Sequence, residues 1–267
     1  MTARYCLLGH PIEHSLSPRM HNAGFEALGL DARYELKPTP LEHVDRALVE
    51  LRAGTMTGCN ATTPLKGAVA GAFPGSERVK RSGSANTVYR DGETLRVEST
   101  DVDGVREPLQ ARGVNGGEAI VLGAGGAARA AALALEELGF TVHVAARAPE
   151  KAALLLEEVA PRPRGRALHI EALGRDKALL RTARVLIQAT PLGRCGETLP
   201  IPWDLIENSA VAFEMLYVTT PFLNEAARRG LKTIPGWEML LEQGLRSFEL
   251  WTGQPAPRDA MRDALRG

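Results

Sequence analysis

The chain carries no excess of either charge: 32 lysines and arginines balance 32 aspartates and glutamates over 267 residues, giving zero net charge and a pI near 7. That excludes the broad basic field with which proteins gather nucleic acid or anionic membrane surfaces. Cysteine is scarce as well. Cys6, Cys59 and Cys195 are odd in number and far apart, which fits neither a disulfide framework nor a zinc cluster. Cys6 and Cys59 read as small strand hydrophobes. No apolar run approaches the length of a membrane span, and Met1-Thr2-Ala3-Arg4-Tyr5 leads directly into a strand pattern instead of a signal peptide, so the expected location is cytoplasmic. Histidines are few, and although His10, His14 and His21 lie close in sequence, Pro11 breaks any helix that could align i and i+4 ligands. No metal is expected. Internal repeats and low-complexity segments are also missing.

What the chain does have is 44% apolar content and a length beyond one typical domain, which points to two α/β domains. In the middle, Glu118-Ala119-Ile120-Val121-Leu122 is a buried-strand run that breaks into Gly123-Ala124-Gly125-Gly126-Ala127 and then into a helix with Ala130, Leu133, Leu135 and Leu138 on its apolar face. A glycine turn between strand and helix lets backbone N–H groups approach a pyrophosphate at the positive end of the helix. The loop reads GxGGxxxA, a variant spacing, and by itself it is also compatible with a purely structural turn.

The next strand, Phe140–Ala146, ends about twenty residues past the loop, where an NAD-binding unit places an acid for the ribose hydroxyls. No acid stands there. The chain offers Ala145-Ala146-Arg147, and a guanidinium suits a 2′-phosphate, so NADP is expected in preference to NAD. The alternative is a surface arginine opening the next helix. Beyond it the pattern gives helix 149–159, strand 167–171, helix 175–182, strands 185–188 and 210–215, helix 220–229 and strand 232–235. That alternation implies parallel strands with right-handed crossovers, a Rossmann-like doubly wound domain over 102–236.

The N-terminal hundred residues show their own alternation: strands at Tyr5–Leu8, Arg33–Leu36 and Met56–Asn60, and a hairpin of Asn86–Tyr89 with Leu95–Glu98. Thr39-Pro40-Leu41-Glu42 reads as a capping box with proline at the first helical position, followed by Leu41, Val44, Leu48 and Leu51 on one face. The tail from Trp237 holds two helical patterns, the first expected to return to the N-terminal domain. The domains are therefore 1–101 plus 237–267, and 102–236.

Three places in this first domain carry chemistry. Ser15 and Ser17 lie two apart, so in extended chain their hydroxyls point the same way and can hold a carboxylate, although Ser17 could equally cap the helix that Pro18 begins. Asn60-Ala61-Thr62-Thr63-Pro64-Leu65-Lys66 puts amide, hydroxyl and ammonium groups at a strand's carboxyl end, where open α/β sheets bind ligands. Only six of the 32 basic residues are lysine, and Lys66 can transfer a proton where an arginine cannot. Ser99-Thr100-Asp101 supplies a carboxylate, or alternatively a cap for helix 102–111.

Taken together, Gly9–Pro18, Asn60–Lys66, Ala85-Asn86-Thr87, Thr100-Asp101, the glycine loop, Ala189-Thr190-Pro191-Leu192-Gly193 and Gln243-Gly244 are similar in order and spacing to the shikimate dehydrogenases, over nearly the whole chain. The resemblance implies NADPH-dependent reduction of 3-dehydroshikimate to shikimate on the route to chorismate and the aromatic amino acids, by a monomer or homodimer. It implies that Ser15 and Ser17 hold the substrate carboxylate, that Thr62, Asn86 and Gln243 bind ring hydroxyls, and that Tyr217 lies near the substrate. Lys66 and Asp101 become the catalytic pair. Gly123, Ala124, Gly125, Gly126, Ala127, Arg147 and Thr190 become cofactor residues, with Gly236 facing the nicotinamide. Where the family has Asn-Arg-Thr this chain has Ala146-Arg147-Ala148, which removes two polar contacts to the cofactor phosphate. Ser99, Leu65 and Glu214 also depart from the family's usual Asn, His or aromatic residue, and Asp. A quinate/shikimate dehydrogenase using NAD(P) and a non-catalytic NADP-binding regulator are the competing readings.

Overall fold

The computed structural model describes residues 2–159 and 165–266 and divides the chain into two compact units, Met1–Gly104 with Leu240–Gly267, and Val105–Met239. Among the described residues no helix is long and apolar enough to cross a membrane.

In the first unit the elements run β1 (Ala3–Gly9), α1 (Ser17–Ala27), β2 (Ala32–Pro38), α2 (Val44–Arg52), β3 (Gly58–Ala61), α3 (Lys66–Ala70), α4 (Glu77–Ser82), β4 (Thr87–Asp91) and β5 (Thr94–Glu98). The sheet order is β2-β1-β3-β4-β5. The first three strands are parallel, and β4 and β5 add antiparallel. Alternation along β1 sends Cys6 and Leu8 into one core with Leu48, Leu51, Cys59, Leu65 and Val69. It sends Tyr5 the other way, where its ring lies 5.3 Å from Phe25 and 4.8 Å from Trp251. Trp251 comes from the returning C-terminal helix and ties it to the sheet by donating from Nε1 to the carbonyl of Val88 at 2.9 Å.

α5 (Asp101–Gln110) leads out of this unit, and the second unit continues with β6 (Gly117–Leu122), α6 (Gly126–Glu137), β7 (Phe140–Ala146), α7 (Pro149–Val159), β8 (Ala167–His169), α8 (Lys177–Thr182), β9 (Ala183–Gln188), β10 (Val211–Glu214), α9 (Pro221–Arg228) and β11 (Lys232–Ile234). Its six strands are all parallel in the order β11-β10-β9-β6-β7-β8, the doubly wound arrangement in which ligands sit at the carboxyl ends near the point where strand order reverses. Ala130 to Leu135 of α6 are fully buried, so this helix packs through side chains that are mostly a single methyl. α10 (Gly236–Thr252) then leads back to the first unit and α11 (Arg258–Arg266) ends the chain.

Two local expectations are corrected. The capping box at Thr39 does not form: just past the end of β2, the backbone N–H of Thr39 pairs with the carbonyl of Gly9 at 2.8 Å, and its hydroxyl donates to the carbonyl of Lys37. The helix starts later, after a 3-10 turn at Leu41–His43, and Leu41 is half exposed instead of buried. Strand 167–171 is cut to three residues because Ile170 enters a 3-10 turn running to Arg175.

Candidate active site

In the first unit the carboxyl ends of the strands gather most of the polar residues singled out in the sequence. β3 ends just before Thr62, whose carbonyl accepts from the N–H of Leu65 at 2.8 Å and turns the chain into α3, so Lys66 stands at the helix start. Its ammonium donates to Oδ2 of Asp101. Both groups are largely buried, with side-chain exposures of 16% and 5%. The other oxygen of Asp101 accepts from Nδ2 of Asn86 at 3.0 Å, and the same nitrogen lies 3.2 Å from Oε1 of Gln243. Lys66, Asp101, Asn86 and Gln243 are thus one hydrogen-bonded group. The Asp101 carboxylate is engaged there, not in capping α5.

Beneath this group lies a polar layer that sequence reasoning missed. The antiparallel register sets Asn60 opposite Thr87. Asn60 Nδ2 lies 3.0 Å from the Thr87 hydroxyl, 3.1 Å from that of Ser247 on α10 and 3.1 Å from the backbone carbonyl of Asn86. Asn60 Oδ1 accepts from the phenol of Tyr34 at 2.8 Å. Burial pushes the Tyr34 phenol well above its usual range, with the nearby Ser17 hydroxyl acting in the opposite sense. Ser17 in turn is 3.2 Å from the hydroxyl of Ser15. Buried Tyr34 is thus joined to the Lys66–Asp101 pair through Asn60 and Asn86. The motif residues Asn60 and Thr87 were a signal for this layer, but only the strand register shows what they meet.

Ser17 does not cap α1. It is the first residue of the helix, Leu16 occupies the cap position without a side-chain bond, and the N–H of Ser17 donates to the Ser15 hydroxyl at 3.2 Å. His21 is fully buried and stacks on Tyr34 with ring centroids 4.6 Å apart. Burial holds it neutral by pushing its pKa down to about 3.

In the second unit Gly123, Ala124, Gly125, Arg147 and Thr190 line one pocket of about 460 Å³ at the carboxyl ends of the central strands. Gly123 has a left-handed backbone, φ +115°, and a Cβ there would lie 3.0 Å from the carbonyl oxygen of Ala189. Gly125 is different: its φ is −90° and a Cβ would enter open space, so nothing in the protein's own packing calls for a glycine. A ligand backbone approaching the first turn of α6 does, and the pocket therefore fits a dinucleotide pyrophosphate. Gly126 and Ala127 form that first turn.

Arg147, just ahead of α7, and Lys151, in the first turn of α7, both line the pocket and make no side-chain hydrogen bond or ion pair among the described residues. Lys151 was not singled out in the sequence. Unpaired cations beside a cavity suit a phosphate dianion. Glu171 lines the same pocket and opposes them.

Tyr217 and Gly236 do not line this pocket; they come together elsewhere in the unit. A Cβ on Gly236 would lie 2.2 Å from the carbonyl oxygen of Leu216 and 2.9 Å from the backbone nitrogen of Tyr217, so Gly236 permits close backbone approach to the Tyr217 segment. Glu214 anchors that segment: it is fully buried, accepts from the N–H of Leu216 at 2.9 Å, and meets the Thr220 hydroxyl at 2.6 Å. Burial pushes its carboxyl up to about 7, against the lowering effect of these bonds. Among the described residues no group of three His, Cys, Asp or Glu could hold a metal ion.

Comparison with known proteins gives a consistent family. Residues 7–88 match the model of the shikimate dehydrogenase substrate binding domain, and residues 236–266 that of the shikimate 5'-dehydrogenase C-terminal domain. The chain is 40% identical over 265 residues to the shikimate dehydrogenase (NADP(+)) of Natronomonas pharaonis, covering 98% of each chain. It is 40% identical over 268 residues to that of Thermus thermophilus, covering 98% of this chain and 97% of the relative. The crystal structure of Thermus thermophilus shikimate 5-dehydrogenase in complex with NADP(H) and shikimate superimposes with a TM-score of 0.88 at 39% identity, covering 99% of this chain and 98% of that one.

Proposed function

The chain belongs to the shikimate dehydrogenase family, and from that premise we propose how its own residues carry out the NADP-dependent reduction of 3-dehydroshikimate to shikimate. The protein is an oxidoreductase of the route to chorismate and the aromatic amino acids. The observation that carries the division of labour is the Lys66–Asp101 pair, buried and held from the far side by Asn86.

NADPH, when bound, supplies the hydride that reduces the carbonyl carbon. The protein must supply one proton and hold the substrate. Lys66 is the proton donor to the carbonyl oxygen; Asp101 orients the ammonium and balances its charge. In the oxidative direction the neutral amine, or Asp101 through it, receives the proton of the reacting hydroxyl. Positioned acid–base groups of this kind contribute roughly 10²–10⁴-fold. Ser15 and Ser17 hold the substrate carboxylate, Thr62, Asn86 and Gln243 its ring hydroxyls, and Tyr217 completes the substrate site. Gly123, Ala124, Gly125, Gly126, Ala127 and Thr190 hold the cofactor's pyrophosphate end, Arg147 with Lys151 its 2′-phosphate, and Gly236 faces the nicotinamide. Residues 1–101 with 237–267 thus form the substrate and catalytic domain and 102–236 the NADP domain, in a cytoplasmic monomer or homodimer.

The test is an assay of the purified protein by absorbance of reduced cofactor, with shikimate and quinate each crossed against NADP and NAD. Turnover of shikimate with NADP, exceeding the other three combinations, is expected. Equal turnover of quinate makes it a quinate/shikimate dehydrogenase, and no turnover in any combination leaves only an NADP-binding protein.

A further inference from the structure

A carboxamide can face either way, and for Asn86 the direction decides what it does for Asp101. The backbone N–H of Thr100 can only donate, and it lies 2.7 Å from Oδ1 of Asn86. Nδ2 must therefore turn to the other side, where it meets the Thr100 hydroxyl at 2.9 Å, Oδ1 of Asp101 at 3.0 Å and Oε1 of Gln243 at 3.2 Å. Nδ2 has two protons in a fixed plane. If Thr100 takes one, the direction of the other is set, toward Asp101.

For the Thr100 hydroxyl to accept from Asn86, its own proton needs a destination. The acceptors within reach are Ser247 at 3.0 Å, Thr87 at 3.1 Å and, at 3.2 Å, Oδ1 of Asn86 itself, which already accepts from the N–H of Thr100. Ser247 gives its single proton to the carbonyl of Gln243, at 2.9 Å, so toward the threonines it is an acceptor. With Ser247 donating to that carbonyl, the Asn86 amide can donate to Thr100 while Thr100 donates to Ser247. Thr87, Thr100 and Ser247 are all fully buried, which keeps water from competing.

We propose that Thr100 is a positioning residue for the reaction: its hydroxyl holds one amide proton of Asn86 so that the second is delivered to Oδ1 of Asp101, leaving Oδ2 to Lys66. This rests on the reading of Lys66 and Asp101 as the catalytic pair. The charged groups around Asp101 are Lys66 from α3 and, on its own helix, Asp103, which pairs with Arg78 of α4 at 2.8 Å. With the hydroxyl removed, the backbone N–H of residue 100 still holds Oδ1, but one amide proton loses its acceptor and Asp101 has to share the Nδ2 donor with Gln243.

The experiment compares Thr100→Val, which removes the hydroxyl at nearly constant shape, with Thr100→Ser, which keeps it, in shikimate oxidation from about pH 6 to about pH 10 with saturating NADP. Thr100→Val is expected to lower kcat about tenfold and to move the acid limb of the kcat profile up by about half a pH unit, with KM for NADP unchanged. Thr100→Ser should stay within about threefold of wild type with its acid limb in place. If the valine variant does not fold, Thr100→Ala takes its place with the same expectations. A wild-type kcat and limb in the hydroxyl-free variant overturns the proposal. So does a loss of kcat that serine fails to recover, or one with the limb unmoved, since a packing defect gives both. Lys66→Ala, run alongside, separates the two levels: if it keeps wild-type kcat the catalytic-pair reading falls, and if it loses activity while the Thr100 variants do not, only the positioning role falls.

Discussion

Lys66 donates to one oxygen of Asp101 while Asn86 donates to the other, so the carboxylate is held from two sides in a site only 5% exposed. Because the two charges act as a unit, removing either should remove the same step. Lys66→Ala is expected to cut kcat by roughly 10²–10⁴ with NADP affinity retained. Asp101→Ala should do likewise, and the double variant should be no worse than the more damaged single one. Steady-state kinetics with fluorescence titration of NADPH checks both points; normal kcat in Lys66→Ala, with only KM raised, would reduce the lysine to a substrate clamp.

Arg147 and Lys151 line the pocket of the second unit and have no side-chain partner among the described residues. A charge-assisted bond is worth about 1.5–3 kcal/mol, so Arg147→Ala should raise KM for NADP roughly tenfold to hundredfold and leave KM for NAD nearly unchanged. Lys151→Ala should act in the same direction by a smaller factor. Glu171→Gln, which removes the one opposing charge on the pocket wall, should lower KM for NADP. Equal responses of the two cofactors would mean that this corner does not read the 2′-phosphate.

The second unit was legible in the sequence because buried parallel strands read as unbroken apolar runs, as at Ala119–Leu122, and because Gly123 marks a turn with positive φ. Lys151 escaped notice because a surface lysine on a helix carries no local signal; only its place on the pocket wall distinguishes it. Thr39 misled for a local reason. Its capping pattern was sound, but its N–H is taken by the carbonyl of Gly9, thirty residues away, beside the end of β2. The motifs marked Asn60, Thr87 and Thr100 but not the layer they form with Tyr34 and Ser247, which depends on strand register and on a helix nearly 150 residues downstream of Thr100.

Ser15 and Ser17 bond to each other, and Ser17 is not the cap of α1. Replacing both with alanine should therefore leave melting close to wild type, and the proposed carboxylate-binding role requires KM for shikimate to rise at least about tenfold. kcat should change less than KM, because a hydroxyl is a poor proton carrier at neutral pH. A large fall in Tm with KM unchanged would place the serines in the scaffold.

Glu214 makes stability depend on pH in a direction opposite to that of most carboxylates. Its pKa rises to about 7 in the folded state because burial disfavours the charge, against 4.5 for the free side chain. Between those values the folded chain keeps a proton that the unfolded chain has released. The contribution of this group is therefore fully present below pH 4.5 and is lost as pH rises through about 7, a difference of about 3 kcal/mol. Glu214→Gln imitates the protonated form: its Oε1 can accept from the N–H of Leu216 while Nε2 donates to the Thr220 hydroxyl, which already accepts from the N–H of Leu223. Relative to wild type, the glutamine variant should gain stability as pH is raised from about 5 to about 8, as followed by Tm at several pH values. Parallel curves would show that Glu214 titrates normally, and that the anchoring of the Tyr217 segment does not depend on its proton.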